Sequence, residues 1–321
     1  MEELPALQEV TCRAQLGVRE CLVACDRAFR LYGEGALVNP ARREVLGPGE
    51  GAHRFHLEMH AEWPGRYRVR KVIEEVSDVA SGALGQRRAL LTLQDLARLR
   101  QVSMEAGHIT DMRTGAAAAL GLRYLAGQPV RRVALLGAGR VGRAAGPALD
   151  SLFELEEIRL VSRRDVSARA YAHQIGPRLR ARLRLAAGLA DAVRGVDAIV
   201  TAVPTPSPIL SLARVGEACV SVVAGDPRTC QVEPEVLERL GVVVDHLEQA
   251  RQSGDFLRAV EEGRCERVNL ARAQDGRTLD MGDAACGRLP RGPQAPRLAY
   301  LTGLAALDLM VAVGLYEALC P

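Results

Sequence analysis

Aromatic side chains are scarce in this 321-residue chain: one Trp, four Phe and six Tyr make up 3% of it. That excludes the stacking platforms on which proteins hold single-stranded nucleic acid. A massed basic surface is missing as well. The net charge is +3, and the cations, mostly arginine, are scattered, so nothing marks a nucleic-acid partner. None of the eight cysteines pairs with another at Cys-x-x-Cys spacing, which excludes the common zinc and thioredoxin-type sites. They read as reduced thiols of a cytoplasmic protein, with Cys21 and Cys25 packing as small apolar groups on a helix. No apolar window is long enough to span a membrane, and the acidic start MEELPALQEV has no signal-peptide core. The expectation is a soluble, cytoplasmic chain with no membrane partner.

What is present is enough apolar residue, 48% against 25% charged, to bury one large core or two ordinary ones. Residues 15–33 read as an amphipathic helix. VNPARREVLG (38–47), GAHRFHLEMHAEW (51–63), YRVRKVIEEV (67–76) and ALLTLQDL (89–96) read as strands or strand edges. The first third is therefore expected to be a small sheet with a flanking helix. From about residue 110 the character changes. Short apolar strands (158–162, 197–203, 218–224, 241–245) alternate with helical segments, the pattern of a parallel sheet covered on both faces. LAYLTGLAALDLMVAVGLYEAL (298–319) reads as a short strand or turn and a long apolar helix suited to packing on the first third. Residues 287–297 read as a connection or mobile loop. The fold class is α/β: a Rossmann-type, doubly wound parallel-sheet domain over 113–297, plus a smaller α+β domain from 1–112 and 298–321.

VALLGAGRVG carries Gly137, Gly139 and Gly142 as G-x-G-x-x-G directly after an apolar strand and at the start of a helix, with Arg140 and Val141 between the second and third glycines. In that context the motif points to a dinucleotide: one glycine for the turn, one for close approach to the pyrophosphate, one for helix–strand contact. An NAD site usually ends its second strand with an acid that bonds the ribose. Here that strand ends Ser162-Arg163-Arg164, which suits a 2′-phosphate, so NADPH is expected and NADH or NAD is the alternative. Ala202 and Val203, closing DAIVTAV, are expected among the cofactor contacts.

ITDMRTGAAAALGLRYLA, LLGAGRVGRA, DAIVTAVPTPSPIL, VVVDHLEQARQSGD and TGLAALD together resemble the ornithine cyclodeaminase/mu-crystallin family, from about residue 38 onward. Members usually have Gln-Ala where this chain has Val141-Gly142. The resemblance implies a homodimer whose subunit has a dinucleotide domain and a substrate-binding, dimerisation domain. It also bears on an oddity of the first block, where Arg113 reads as lying at the start of a small-residue helix, an unfavourable place for a cation. In the family the arginine of this block binds the substrate carboxylate, and the adjacent threonine, here Thr114, approaches the cofactor phosphates. Arg42, in Pro40-Ala-Arg42, matches a second carboxylate-binding arginine.

The resemblance further implies a catalytic lysine in a strand and, in members that deaminate, a catalytic aspartate. Two registers are open for the lysine, Arg70 without a gap from Met59 and Lys71 with one insertion, and only one of them can face the site. Lys71 is preferred because a buried lysine can lose its proton and an arginine cannot. For the aspartate, the ungapped position is Gly225 and the slipped one Asp226. In the last block, Tyr300 and Leu301 stand where members have Asp-Ser. His56, Glu58 and His60 project together from one strand face. They could be solvated, could act as acid, base or substrate ligand, and as a metal site are the less favoured reading, so no metal is expected. The function expected is an NADP-dependent oxidoreductase on the C–N bond of a small α-imino or α-amino acid. Lys71, Asp226, His56 and Glu58 would be the proton-handling candidates, and Arg42, Arg113 and Arg70 the carboxylate candidates. An ornithine/lysine-type cyclodeaminase with recycled NAD is the alternative, and a non-catalytic binder of NADPH and a small carboxylate the alternative of another class.

Overall fold

The computed structural model describes residues 1–49, 52–78, 84–292 and 295–320. The chain divides into two units, Met1–Arg113 with Leu304–Pro321, and Thr114–Gly303.

The first unit opens with β1 (Glu2–Glu3), α1 (Glu9–Gln15) and α2 (Val18–Gly33). Four long strands follow in an antiparallel meander: β2 (Arg43–Gly49), β3 (Ala52–Trp63), β4 (Tyr67–Asp78) and β5 (Leu84–Asp95). Then come β6 (Arg100–Glu105) and α3 (Gly107–Leu125). The sheet order is β1-β6-β5-β4-β3-β2. Trp63-Pro64-Gly65-Arg66 turns β3 into β4. Proline presets the first turn angle, Gly65 takes φ +72° where a side chain would be strained, and Arg66 N donates to Trp63 O at 2.9 Å. Alternation on β4 is strict: Val69, Lys71 and Ile73 are buried, while Arg70 and Glu74 are exposed.

The second unit takes over within α3, at Thr114. It continues as β7 (Arg132–Leu136), α4 (Arg140–Leu152), β8 (Glu157–Val161), α5 (Asp165–Gln174), β9 (Arg182–Leu185), α6 (Leu189–Val193) and β10 (Ala198–Thr201). Next are α7 (Leu212–Val215), β11 (Cys219–Val223), α8 (Pro234–Arg239), β12 (Val242–Val244), α9 (Leu247–Arg251), α10 (Gly254–Glu261), α11 (Met281–Ala285) and β13 (Leu298–Leu301). The sheet order is β12-β13-β11-β10-β7-β8-β9, every pair parallel. This is the doubly wound sheet, and its order reverses between β7 and β10, where such folds form their ligand crevice. Strand β13 belongs to this sheet, between β11 and β12, and not with the N-terminal part as 298–321 was expected to. Its four residues are all buried, as a central parallel strand requires.

The chain then returns to the first unit as α12 (Ala305–Leu319), which packs on α2, β3, β4 and β5. Asn39 Oδ1 accepts from Ala306 N at 2.8 Å and so satisfies one orphan amide of its first turn. Among the described residues no helix is long and apolar enough to cross a membrane. Pro293 and Gln294, in the loop expected over 287–297, lie outside the described residues.

Candidate functional site

In the first unit, strand register decides which cations meet. Met59 pairs with Lys71 and His60 with Arg70, so Lys71 shares the inner face with Leu57, Met59, Ile73 and Leu91. Its side chain is 0% exposed, and Nζ donates to Asp308 Oδ2 at 2.6 Å. Arg113 Nε donates to Asp308 Oδ1 at 3.2 Å. Asp308 lies inside α12, wholly buried, and its two oxygens thus serve two cations. A lone carboxylate there would be costly, and the paired one is held. Burial pushes the Lys71 ammonium down from 10.5 to about 7, the Arg113 charge adds to that, and Asp308 opposes it. The lysine is therefore poised to gain or lose a proton near neutrality.

Arg113 is not at a helix start. Helix α3 begins at Gly107 and Arg113 is its seventh residue, beyond the first turn where the dipole penalises a cation. Its compensation is the protein's own carboxylate. Cys25 Sγ lies 3.9 Å from Arg113 O, so α2 buttresses this turn from behind. Arg42, just before β2, is largely buried and pairs with Glu44 at 2.6 Å. Glu44 pairs in register with Leu57, which puts it on the face that carries Lys71.

The other first-unit candidates do not join this cluster. Arg70, His56, Glu58 and His60 lie on the opposite face of the sheet, because successive strand residues alternate. Arg70 donates to Glu58 Oε1, His60 Nε2 lies 3.1 Å from the same oxygen, and His56 Nδ1 is 3.8 Å from Glu74. Arg70 holds the Glu58 carboxyl below its ordinary pKa. No group of three metal-ligating side chains suited to an ion occurs among the described residues.

In the second unit the glycine loop has the shape a dinucleotide needs. Gly137 takes φ +117°, and a Cβ on Gly142 would lie 2.0 Å from Gly137 O, so the loop closes only with glycine at both places. A Cβ on Gly139 would meet nothing within 4 Å, which leaves open space beside that backbone. Helix α4 starts at Arg140, followed by Val141, with no acid in its first turn, so its amino end is free to face an anion. These features fit a bound pyrophosphate. Ser162, Arg163 and Arg164 follow β8. Both arginines are exposed, and neither has an ion-pair partner among the described residues. Ala202 and Val203 lie just beyond β10, against Gly137. Thr114 precedes Gly115, where α3 passes so close to α4 that a Cβ would lie 2.6 Å from Ala144 C. Gly225, at φ +118°, turns the chain after β11, and the Asp226 carboxylate beyond it takes Arg228 N at 2.8 Å and Arg228 Nη2 at 2.7 Å.

Asp308 is the residue of this buried cluster that reasoning from the sequence missed, although it closes the TGLAALD block. One signal for its partner was plain: Lys71 is the only lysine of the chain, every other permanently cationic side chain being arginine. Of the two residue types, only lysine can lose its proton when buried, and this lysine is wholly buried.

The profile of the ornithine cyclodeaminase/mu-crystallin family matches residues 6–320. The alanine dehydrogenase of Archaeoglobus fulgidus is 26% identical over 224 residues, which are 67% of this chain and 65% of that protein. The chain thus spans just under two thirds of the length of curated relatives such as this one. A solved archaeal alanine dehydrogenase dimer with bound NAD superposes with a TM-score of 0.82 at 25% identity, covering 99% of this chain and 96% of that one. The Δ(1)-pyrroline-2-carboxylate reductase of Thermococcus litoralis, in complex with NADH and L-proline, shares the fold with a TM-score of 0.84 at 20% identity, covering 99% and 97%. With a profile match over nearly its whole length, the chain belongs to the ornithine cyclodeaminase/mu-crystallin family.

Proposed function

We propose that the protein is a nicotinamide-dependent oxidoreductase acting on the C–N bond of a small α-imino or α-amino acid, with imine reduction as the favoured direction. The observation that carries this is the buried Lys71–Asp308–Arg113 cluster, in a chain that also has a complete dinucleotide loop. Relatives named alanine dehydrogenase and Δ(1)-pyrroline-2-carboxylate reductase support the reaction class.

A reduced nicotinamide supplies the hydride when bound, and the chain's own residues supply the rest. Arg113, with Arg42, binds the substrate carboxylate through a planar, permanently charged fork. Lys71 holds the proton that the imine nitrogen needs, since an iminium is the better hydride acceptor. Its pKa, lowered to about 7, supports a transfer near neutral pH. Asp308 orients both cations and is the counter-charge left when Lys71 is an ammonium. The cofactor reading is NADPH, carried by Arg163 and Arg164 at the end of β8. A homodimer and a cytoplasmic site of action complete the proposal, the former supported by the dimeric archaeal neighbour.

The test is loss of reduced-nicotinamide absorbance with cyclic imino acids of five- and six-membered rings, and with pyruvate plus ammonia or methylamine, NADPH and NADH in parallel. Turnover with the cyclic imines supports the reductase reading, and turnover with keto acid and amine alone moves the protein to the amino-acid dehydrogenases. Ammonia release from ornithine with no net change in nicotinamide would replace the proposal with the cyclodeaminase.

A further inference from the structure

We propose that Gln231 is a positioning residue for the cofactor crevice. It fixes the Ala202–Val203 peptide so that its carbonyl faces the glycine loop. The proposal rests on the dinucleotide reading of that loop and adds a residue that no motif marks.

Gln231 is 1% exposed, and every polar group it has is used. Oε1 accepts from Thr201 Oγ1 at 2.7 Å and from Val203 N at 3.3 Å, and Nε2 donates to Val223 O at 2.6 Å. One side chain therefore ties together the carboxyl ends of β10 and β11. Its own backbone is pinned in turn. Gln231 N and Val232 N donate to Asp255 Oδ1 at 2.6 and 2.8 Å, and Asp255 Oδ2 accepts from Tyr300 OH at 2.8 Å. Gln231 O accepts from Ile209 N and Leu210 N, each at 3.0 Å. The amide is thus held at both ends before any ligand arrives.

The consequence follows from peptide geometry. In a planar trans peptide the N–H and C=O point in opposite directions. With Val203 N–H turned inward to Gln231, the carbonyl of Ala202 turns the other way. There it meets the loop: a Cβ on Gly137 would lie 2.7 Å from Ala202 O. Ala202 N also donates to Leu136 O at 3.0 Å, which binds the end of β10 to the end of β7. The sheet order reverses between these two strands, so this peptide forms a wall of the switch-point crevice. If it flipped, an N–H would replace the carbonyl beside Gly137 and the loop would lose its fixed wall.

Fluorescence titration of NADPH and NADH against the full-length protein tests this. Gln231→Leu keeps the volume and removes the three side-chain hydrogen bonds. It is expected to raise the NADPH Kd roughly tenfold or more, while the rate at saturating NADPH falls less. Leu237→Ala, in the apolar core of the same unit, is the control for lost stability and is expected to keep Kd within about twofold of wild type. Gln231→Glu offers the same acceptor and donor only when protonated, so its NADPH affinity should recover as pH falls, which the wild type does not do. Should Gln231→Leu fail to fold, Thr201→Val repeats the test with a near-isosteric change and an expected rise of about threefold. An unchanged Kd in the folded variants, or an equal rise in Leu237→Ala, overturns the positioning role and leaves the dinucleotide reading standing. A wild type that binds neither NADPH nor NADH overturns both.

Discussion

At the scale of single residues, the chemistry proposed for the first unit turns on one proton. Lys71 is the chain's only lysine, so protein labelled with 15N-lysine shows a single side-chain ammonium signal. Its titration is expected at about 7, with burial as the main cause. The sign of the rate profile follows. Reduction needs the ammonium, so its rate should fall as pH rises through about 7, and oxidation of the amino acid needs the free amine and should rise over the same range. A signal titrating near 10 would remove Lys71 as the acid. Stability is linked to the same shift. Between about 7 and 10.5 the unfolded chain binds the proton that the folded chain has released, so folded stability rises with pH across that window. Lys71→Met should flatten the rise in pH-dependent urea melts. Lys71→Arg keeps a cation for Asp308 but cannot give up a proton, and should lower kcat roughly a hundredfold or more with substrate affinity less affected. Residue type pointed to Lys71 over Arg70; the register of β3 on β4 puts the two on opposite faces, with Lys71 on the buried one. Asp308 was illegible as a partner because 237 residues separate it from Lys71, and no local pattern encodes a contact of that range.

At the scale of elements, legibility followed periodicity. The central parallel strands are continuous apolar runs and the glycine loop is local, so β7, β10 and β11 could be read directly. β6 and β9 could not. Arg100–Glu105 and Arg182–Leu185 are rich in polar residues, and their pairing comes from neighbours already in place. The helix expected over 15–33 is α2, which starts only at Val18, after Gly17; the separate helix α1 was not read, and it ends at Gln15 because the chain leaves helical geometry at Leu16. Glycine means opposite things in two helices of the chain. A Cβ at Gly115 would strike the α4 backbone at 2.6 Å, so Gly115→Ala should destabilise the protein by about 1–3 kcal/mol. At Gly314, inside α12 and exposed, a Cβ would meet nothing within 4 Å. Gly314→Ala should therefore stabilise by about 0.5–1 kcal/mol, because alanine restricts the unfolded chain and favours helix. Paired thermal melts of the two variants check both signs, and a fall at Gly314 would show that the α12 surface is packed against something in solution.

At the scale of the whole molecule, ligand and fold are linked through the second unit. A dinucleotide that binds only the folded sheet stabilises it by an amount set by its concentration over Kd, about 2.7 kcal/mol at a hundredfold excess. For a unit of this size that corresponds to a rise in melting temperature of roughly 5–10 °C. The two reduced cofactors differ only at the ribose 2′ position, so the difference between their melting shifts isolates whatever the protein offers there. It offers Ser162, Arg163 and Arg164 after β8, with no acid until Asp165, and Asp165 is within 3.9 Å of Arg169 one turn on. A carboxylate bonding the ribose hydroxyls would repel a 2′-phosphate, whereas two exposed guanidinium groups attract it. NADPH should therefore raise the melting temperature more than NADH at equal concentration. The double variant Arg163→Ala/Arg164→Ala should bring the NADPH shift down to the NADH value while leaving the NADH shift nearly unchanged. Because exposed charges are screened, the NADPH advantage should also shrink as salt is raised. A larger shift with NADH in the wild type would mean that these arginines are only solvated and that the chain reads the ribose through Asp165 or the backbone instead.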